Sequence, residues 1–225
     1  MAEPIGIVAQ PAEMLKRRLA IERLSGLAWL PVAAPEVAAP VTRDRTLDDW
    51  AREALACRAC RLAEGRHTVV FGEGHPNARL MFVGEGPGME EDLQGRPFVG
   101  AAGELLTKII NALKLQREDV YIANTVKCRP PRNRVPLPDE LAACRRFLDA
   151  QIAMIHPRAI CALGRTAANV LLNTDAPVGA LRSRVHRRGQ VPVIVTYHPA
   201  HLLRHPESKR EAWADVQRLI PFLGD

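Results

Sequence analysis

The sequence predicts an α/β protein, a three-layer α/β/α fold around a central four-stranded parallel sheet. Two observations carry this. Four short apolar runs, LMFVG at 80–84, VYIANT at 120–125, AICALG at 159–164 and VIVTYH at 193–198, are rich in β-branched or aromatic residues and end in glycine or polar residues. Helical patterns lie between them: AAGELLTKIINALKL, DELAACRRFLDAQIAMI and GRTAANVLLN. Strands that alternate with helices pair in parallel and carry helices on both faces. With 225 residues and 47% apolar content, the chain can bury one sizeable core.

The elements follow in order. PAEMLKRRLAIERLS at 11–25 reads as a short helix stopped by Gly26. LPVAAPEVAAPVTRDR at 30–45 is rich in Ala and Pro and reads as an extended linker. Two regions are therefore expected: residues 1–45, an N-terminal helix with its linker, and residues 46–225, the main domain. Thr46 is placed to cap a helix over LDDWAREALA, with Asp48 and Asp49 in its first turn. The last helix is expected from Lys209 to Leu219. No internal repeat occurs.

The net charge is +6, which raises the expectation of a polyanionic partner. Residues 180–210 concentrate it, with seven Lys or Arg and four His against one acid, Glu207. No run of 18 apolar residues predicts a membrane span. The opening MAEPIGIVAQPAEMLKRR lacks a signal-peptide pattern. The expected compartment is the reducing cytoplasm, where five cysteines point to a metal or cluster site rather than to disulfides.

In parallel sheets ligands bind beyond the carboxyl ends of the strands. Those ends carry Gly84-Glu85-Gly86-Pro87, Asn124, Gly164 and His198. The turn VGEGPGMEED at 83–92 resembles a phosphate loop only at first sight. Its glycines at 84, 86 and 88 miss the dinucleotide spacing, and no Walker sequence occurs. Glu85, Glu90, Glu91 and Asp92 would repel a phosphate. A glycine-rich turn with a carboxylate suits instead a flat neutral ligand, a water or a developing cation. Phe98, in GRPFVG, is either a core ring under a loop or a ring presented to a base.

Cys57-x2-Cys60, Cys128 and Cys144 supply four thiolates for one centre, and zinc or an iron–sulfur cluster fits them equally. Cys161 lies within an apolar strand and reads as a core residue. The three serines, Ser25, Ser183 and Ser208, form no nucleophile elbow. His198 ends the last strand, and Leu202 and Leu203 follow it in a basic segment. Apolar residues beside cations are suited to entering a base stack.

GEGPGMEED, GRPFVG, VYIANTVKCRPPRNRVPLP, the four cysteines and HPAHLLR together resemble the family-4 iron–sulfur enzymes of the uracil-DNA glycosylase superfamily. The matching stretches run over about residues 57–205, and their order is highly specific. The resemblance implies hydrolysis of the N-glycosidic bond of uracil in DNA, single- or double-stranded, leaving an abasic site. It implies that Glu85, Gly86 and Pro87 face the base and the water, that Phe98 stacks on uracil, and that Asn124 reads its polar edge. His198 would stabilise the leaving anion, and Asn133 would lie near the pocket or DNA. Cys57, Cys60, Cys128 and Cys144 would hold a [4Fe–4S] cluster, with zinc the alternative. Arg129, Arg132, Arg134 and Arg204 would meet phosphates, with Leu202 and Leu203 as the wedge. Gly86 stands where family-1 members carry an Asp, so Glu85 is expected to act on the water and Glu91 is the reserve. A related covalently trapped subgroup carries a Gln in this turn and a basic insertion with a His, both lacking here. The second functional class is a catalytically weak DNA-binding module associated with replication proteins. A monomer is expected, with residues 1–45 a candidate docking segment for such proteins.

Overall fold

The computed structural model describes residues 45–224; the expected helix at 11–25 and its linker lie outside the described residues. Thr46 caps α1 (Leu47–Ala56). Its side chain accepts from the Asp49 N–H, and the Asp49 carboxylate returns a bond to the Thr46 N–H at 2.7 Å. A short α2 (Leu62–Gly65) and β1 (Glu73–Gly74) lead to β2 (Leu80–Gly84), α3 (Met89–Gln94) and α4 (Ala101–Ala112). Next come β3 (Tyr121–Asn124), α5 (Pro138–Ile155), β4 (Ala159–Leu163), α6 (Arg165–Leu172) and α7 (Val178–Leu181). β5 (Val185–Arg188), β6 (Val191–Thr196), α8 (Pro199–Arg204) and α9 (Lys209–Val216) complete the order.

The sheet runs β1-β3-β2-β4-β6-β5. The four expected strands form its parallel centre, in register Phe82–Ile122, Phe82–Cys161 and Cys161–Ile194. Two antiparallel edge strands correct the expected count of four to six. Neither had an apolar signature: β1 is two residues long, and β5 is Val-His-Arg-Arg with alternating exposure. The final helix also differs. It stops at Val216 and tightens into a 3₁₀ turn over Gln217–Phe222, which contains Pro221.

Every residue of β2, β3 and β4 is buried, which explains their continuous apolar runs. Alternation divides them between two layers. Met81, Val83, Ile160 and Val193 pack with Leu148 and Ile152 of α5 and Ala167 and Leu171 of α6. Leu80, Phe82, Ile122 and Cys161 face Leu106 and Ile110 of α4 and Val216. Cys161 is therefore the core residue its strand predicted. A third cluster joins Trp50 and Ala54 of α1 to Phe147 and Cys144 of α5; the Trp50 and Phe147 rings meet edge to face at 6.1 Å.

The loop after α7 is tied to α9 by a buried ion pair. Asp215, 1% exposed, accepts from Arg182 Nε at 2.9 Å, Ser183 N at 3.2 Å and Thr196 Oγ1 at 3.1 Å. Asp215→Asn removes the buried charge that faces Arg182 Nε and leaves the guanidinium its exposed partner Glu211, which accepts at 2.9 Å. The expected outcome is a loss of about 1–3 kcal/mol of unfolding free energy, read from the midpoint of urea denaturation.

Candidate active site and cysteine centre

The carboxyl ends of the parallel strands open into one cleft of about 640 Å³, within the range of small-molecule sites. Glu85, Gly86, Pro87, Phe98, Asn124 and His198 all line it. Glu91, Asn133, Arg134 and Arg204 line its walls, together with Arg165 and His201, which the sequence reading missed.

The turn after β2 is built by its own hydrogen bonds. The Glu85 carbonyl oxygen accepts from Val126 N at 3.2 Å and from the Thr125 hydroxyl, which ties the turn after β2 to the end of β3. The Glu85 carboxylate accepts from the Thr166 hydroxyl of α6. Thr166, in the first turn of α6, is a residue that the sequence reading missed. Glu91 caps α3 by accepting from Gly88 N at 3.1 Å. Its other oxygen accepts from Val99 N at 2.9 Å and Gly100 N at 3.0 Å. Asp92 is buried and accepts from His67 N at 2.9 Å and Thr68 N at 3.2 Å. Of the turn's four carboxylates only Glu90 stands in solvent.

Phe98 sits between two anchors. Behind it the Pro97 carbonyl oxygen accepts from Arg117, whose guanidinium pairs with Glu73 at 2.9 Å. Ahead of it are the N–H groups held by Glu91. Phe98 itself takes φ 53°, a left-handed conformation strained for a bulky residue. Its ring lies 5.6 Å from the His198 ring, tilted by 32°.

Asn124 is 1% exposed, and its side-chain oxygen Oδ1 has no hydrogen-bond partner. Buried polar atoms are normally paired; this one lines the cleft and is available to a ligand N–H. Gly84 makes room for it. A Cβ there would stand 2.5 Å from both Asn124 Oδ1 and Phe98 Cζ.

His198 accepts from Ala200 N at 3.1 Å through Nδ1. The neutral ring therefore carries its proton on Nε2 and can donate it. Burial pushes its pKa down to about 4, with Arg204 adding to the shift and Glu91 opposing it.

The basic residues divide. Arg129 donates to Asn133 Oδ1 at 2.7 Å, which orders the exposed loop around Arg132. Arg134 directs its fork to the fully buried Glu140 at 2.7 and 2.8 Å. Arg204 is exposed at the cleft. Of the two expected wedge residues, Leu202 is 2% exposed, turned away from solvent. Leu203, 44% exposed, is the apolar residue in solvent.

Cys57, Cys60, Cys128 and Cys144 line a second, small cavity between α1 and α5. Cys144 Sγ accepts from Lys127 N at 3.2 Å, Cys128 Sγ from Arg66 at 3.2 Å, and Cys57 Sγ from Arg146 at 3.7 Å. Burial pushes the Cys144 thiol up to about 11, against the pull of Lys127. Among the described residues no three His, Cys, Asp or Glu side chains converge closely enough to hold a single metal ion.

His198 is expected to titrate near 4 in histidine NMR spectra of the folded protein. The unfolded ring titrates at about 6.5. Between these values the unfolded chain binds the extra proton, so stability present above about 6.5 is lost as pH falls toward 4. A folded-state value near 6.5 would contradict this environment.

Residues 71–217 match the uracil DNA glycosylase superfamily. The chain is 44% identical to the Type-4 uracil-DNA glycosylase of Thermotoga maritima, over 81% of this chain and 97% of that protein. It is 43% identical to the Type-4 enzyme of Archaeoglobus fulgidus, over 80% and 94%. It is 32% identical to the Type-5 enzyme of Thermus thermophilus, over 52% and 68%. A fold with its polar strand ends gathered in one cleft, and similarity across most of the chain, give one conclusion: this protein belongs to the uracil-DNA glycosylase superfamily.

Proposed function

We propose that the chain hydrolyses the N-glycosidic bond of uracil in DNA and leaves an abasic site, as in base excision repair. The observation that carries this reading is the buried, unpartnered Asn124 side-chain oxygen in a cleft shared with Phe98, Glu85 and His198. An amide accepts from uracil N3–H and donates to O4. Cytosine presents an acceptor and an amino group there, so the same amide meets it mismatched on both atoms.

The mechanism follows from the charges. Cleavage of the N1–C1′ bond leaves its electron pair on the base and a cation on the sugar. The Nε2–H of neutral His198 donates to uracil O2, where the negative charge develops. A neutral donor loses no proton to bulk water and stays competent across the physiological range. Glu85 stabilises the sugar cation and accepts the proton of the water that attacks C1′. The bond from Thr166 holds its carboxylate in place. Glu91 has a different role in this reading: with both oxygens on backbone N–H groups, it holds the Phe98 loop. Phe98 stacks on the base. Arg129, Arg132 and Arg204 meet phosphates, and Leu203 enters the base stack.

The cysteine centre is read as the site of a [4Fe–4S] cluster on Cys57, Cys60, Cys128 and Cys144, with zinc the alternative. Four thiols around one cavity, three of them accepting from N–H donors, fit the chemistry of thiolate ligands. When bound, the cluster supplies a covalent tie between α1, the Cys128 loop and α5. The reading includes a monomer acting in the cytoplasm, with residues 1–45 open to replication proteins. No helix among the described residues is long and apolar enough to cross a membrane.

Uracil release from a labelled oligonucleotide, followed by alkaline cleavage at the abasic site, tests the activity. Glu85→Gln is expected to lower the rate by about 10²–10⁴-fold while DNA binding persists; full activity would sink its assignment. Gly84→Ala is expected to abolish release with the fold intact by circular dichroism, because its Cβ displaces both Asn124 and Phe98. DNA binding without release by the unmodified protein would support the accessory-module reading instead. Iron and acid-labile sulfide of about four each per chain are expected after anaerobic purification; stoichiometric zinc without iron would overturn the cluster.

A further inference from the structure

Lys127 is among the most deeply buried large side chains of the protein, at 1% exposure. A buried ammonium requires a counter-charge or costs several kcal/mol. Among the described residues no carboxylate pairs with it. Its Nζ donates to the Asn124 backbone carbonyl oxygen at 2.9 Å and to Gln151 Oε1 at 2.6 Å. It also lies 5.6 Å from the Phe71 ring. Gln151 is fixed in turn, donating to Phe71 O at 2.8 Å and to the Tyr121 hydroxyl at 3.1 Å. All these partners are neutral.

The other side of the same residue faces the thiols. Lys127 lines the cysteine cavity, its backbone N–H donates to Cys144 Sγ, and Cys128 is its chain neighbour. Four cysteine thiolates around a [4Fe–4S] core carry a net negative charge, which supplies the missing partner. One residue thus joins the thiols, through its backbone N–H on Cys144 Sγ and the electrostatic pull of Cys144 on its ammonium, to the end of β3, where Asn124 is presented.

We propose that the Lys127 ammonium is the counter-charge of the cysteine-bound cluster and a positioning residue for Asn124, so that the cluster helps set the amide that reads uracil. This rests on the function and cluster assigned above. The ammonium touches neither the base nor the water. Its effect passes through the Asn124 carbonyl, one residue's backbone away from the reading side chain.

Two variants of the full-length, cluster-loaded enzyme test it. Lys127→Gln removes the charge. It is expected to lower the cluster's reduction potential, because the more negative reduced state loses its cation, and to reduce iron retention about tenfold. Lys127→Arg keeps the charge in a larger head that the Asn124 and Gln151 oxygens do not accommodate. It is expected to keep the wild-type potential while uracil release falls about tenfold. If Lys127→Gln does not fold, the Arg variant decides: a potential and a release rate both equal to wild type overturn the proposal, as does an equal potential in folded Lys127→Gln. Unmodified protein lacking iron or uracil release overturns the underlying reading and this proposal together; wild-type function with insensitive variants overturns this proposal alone.

Discussion

The cleft depends on how closely β2 and β3 approach at their carboxyl ends. Gly84 and Asn124 are register partners in adjacent parallel strands, and the space above Gly84 is filled by the Asn124 amide and the Phe98 ring. A side chain of any size at position 84 would push apart the polar and the aromatic wall of the pocket. The rest of the site is arranged around that contact. Thr125 and Val126 bind the Glu85 carbonyl oxygen, so the Asn124 strand end carries the glutamate turn with it. Arg117 and Glu91 press the Phe98 loop onto the same point from its two sides.

The acid-rich turn acquires a physical explanation from these bonds. A glycine turn followed by a short helix exposes several N–H groups that a phosphate would ordinarily satisfy. Here the chain supplies its own anions. Glu91 satisfies Gly88, Val99 and Gly100, and Asp92 satisfies His67 and Thr68. The N–H groups of the turn are thus satisfied within the chain, beside the cleft. Of the four carboxylates, Glu85 alone both lines the cleft and takes a hydroxyl rather than backbone N–H groups as its partner.

The parallel centre was legible because its strands are buried on both faces, which forces unbroken apolar runs. The edges were not, since a two-residue strand and a half-exposed Val-His-Arg-Arg carry no such pattern. The strand-end rule points to Glu85, Asn124 and His198, which share one cleft, and the cysteine spacing points to the cavity that Cys57, Cys60, Cys128 and Cys144 line. What stayed hidden were long-range side-chain bonds: Thr166 to Glu85, Arg117 to Pro97, and Lys127 to Gln151. No local periodicity encodes them. Leu202 and Leu203 show the same limit, because adjacent residues on a short helix divide between core and solvent according to a helix rotation that the dipeptide does not reveal.

The orphaned oxygen of Asn124 also bears on stability. An unpaired buried acceptor costs about 1–3 kcal/mol, and the left-handed Phe98 adds backbone strain of about the same order. Selection for thermal robustness alone would replace both residues. Their presence implies that the scaffold holds strain at the wall of its cleft, kept in place by Arg117 and Glu91 on the two sides of Phe98.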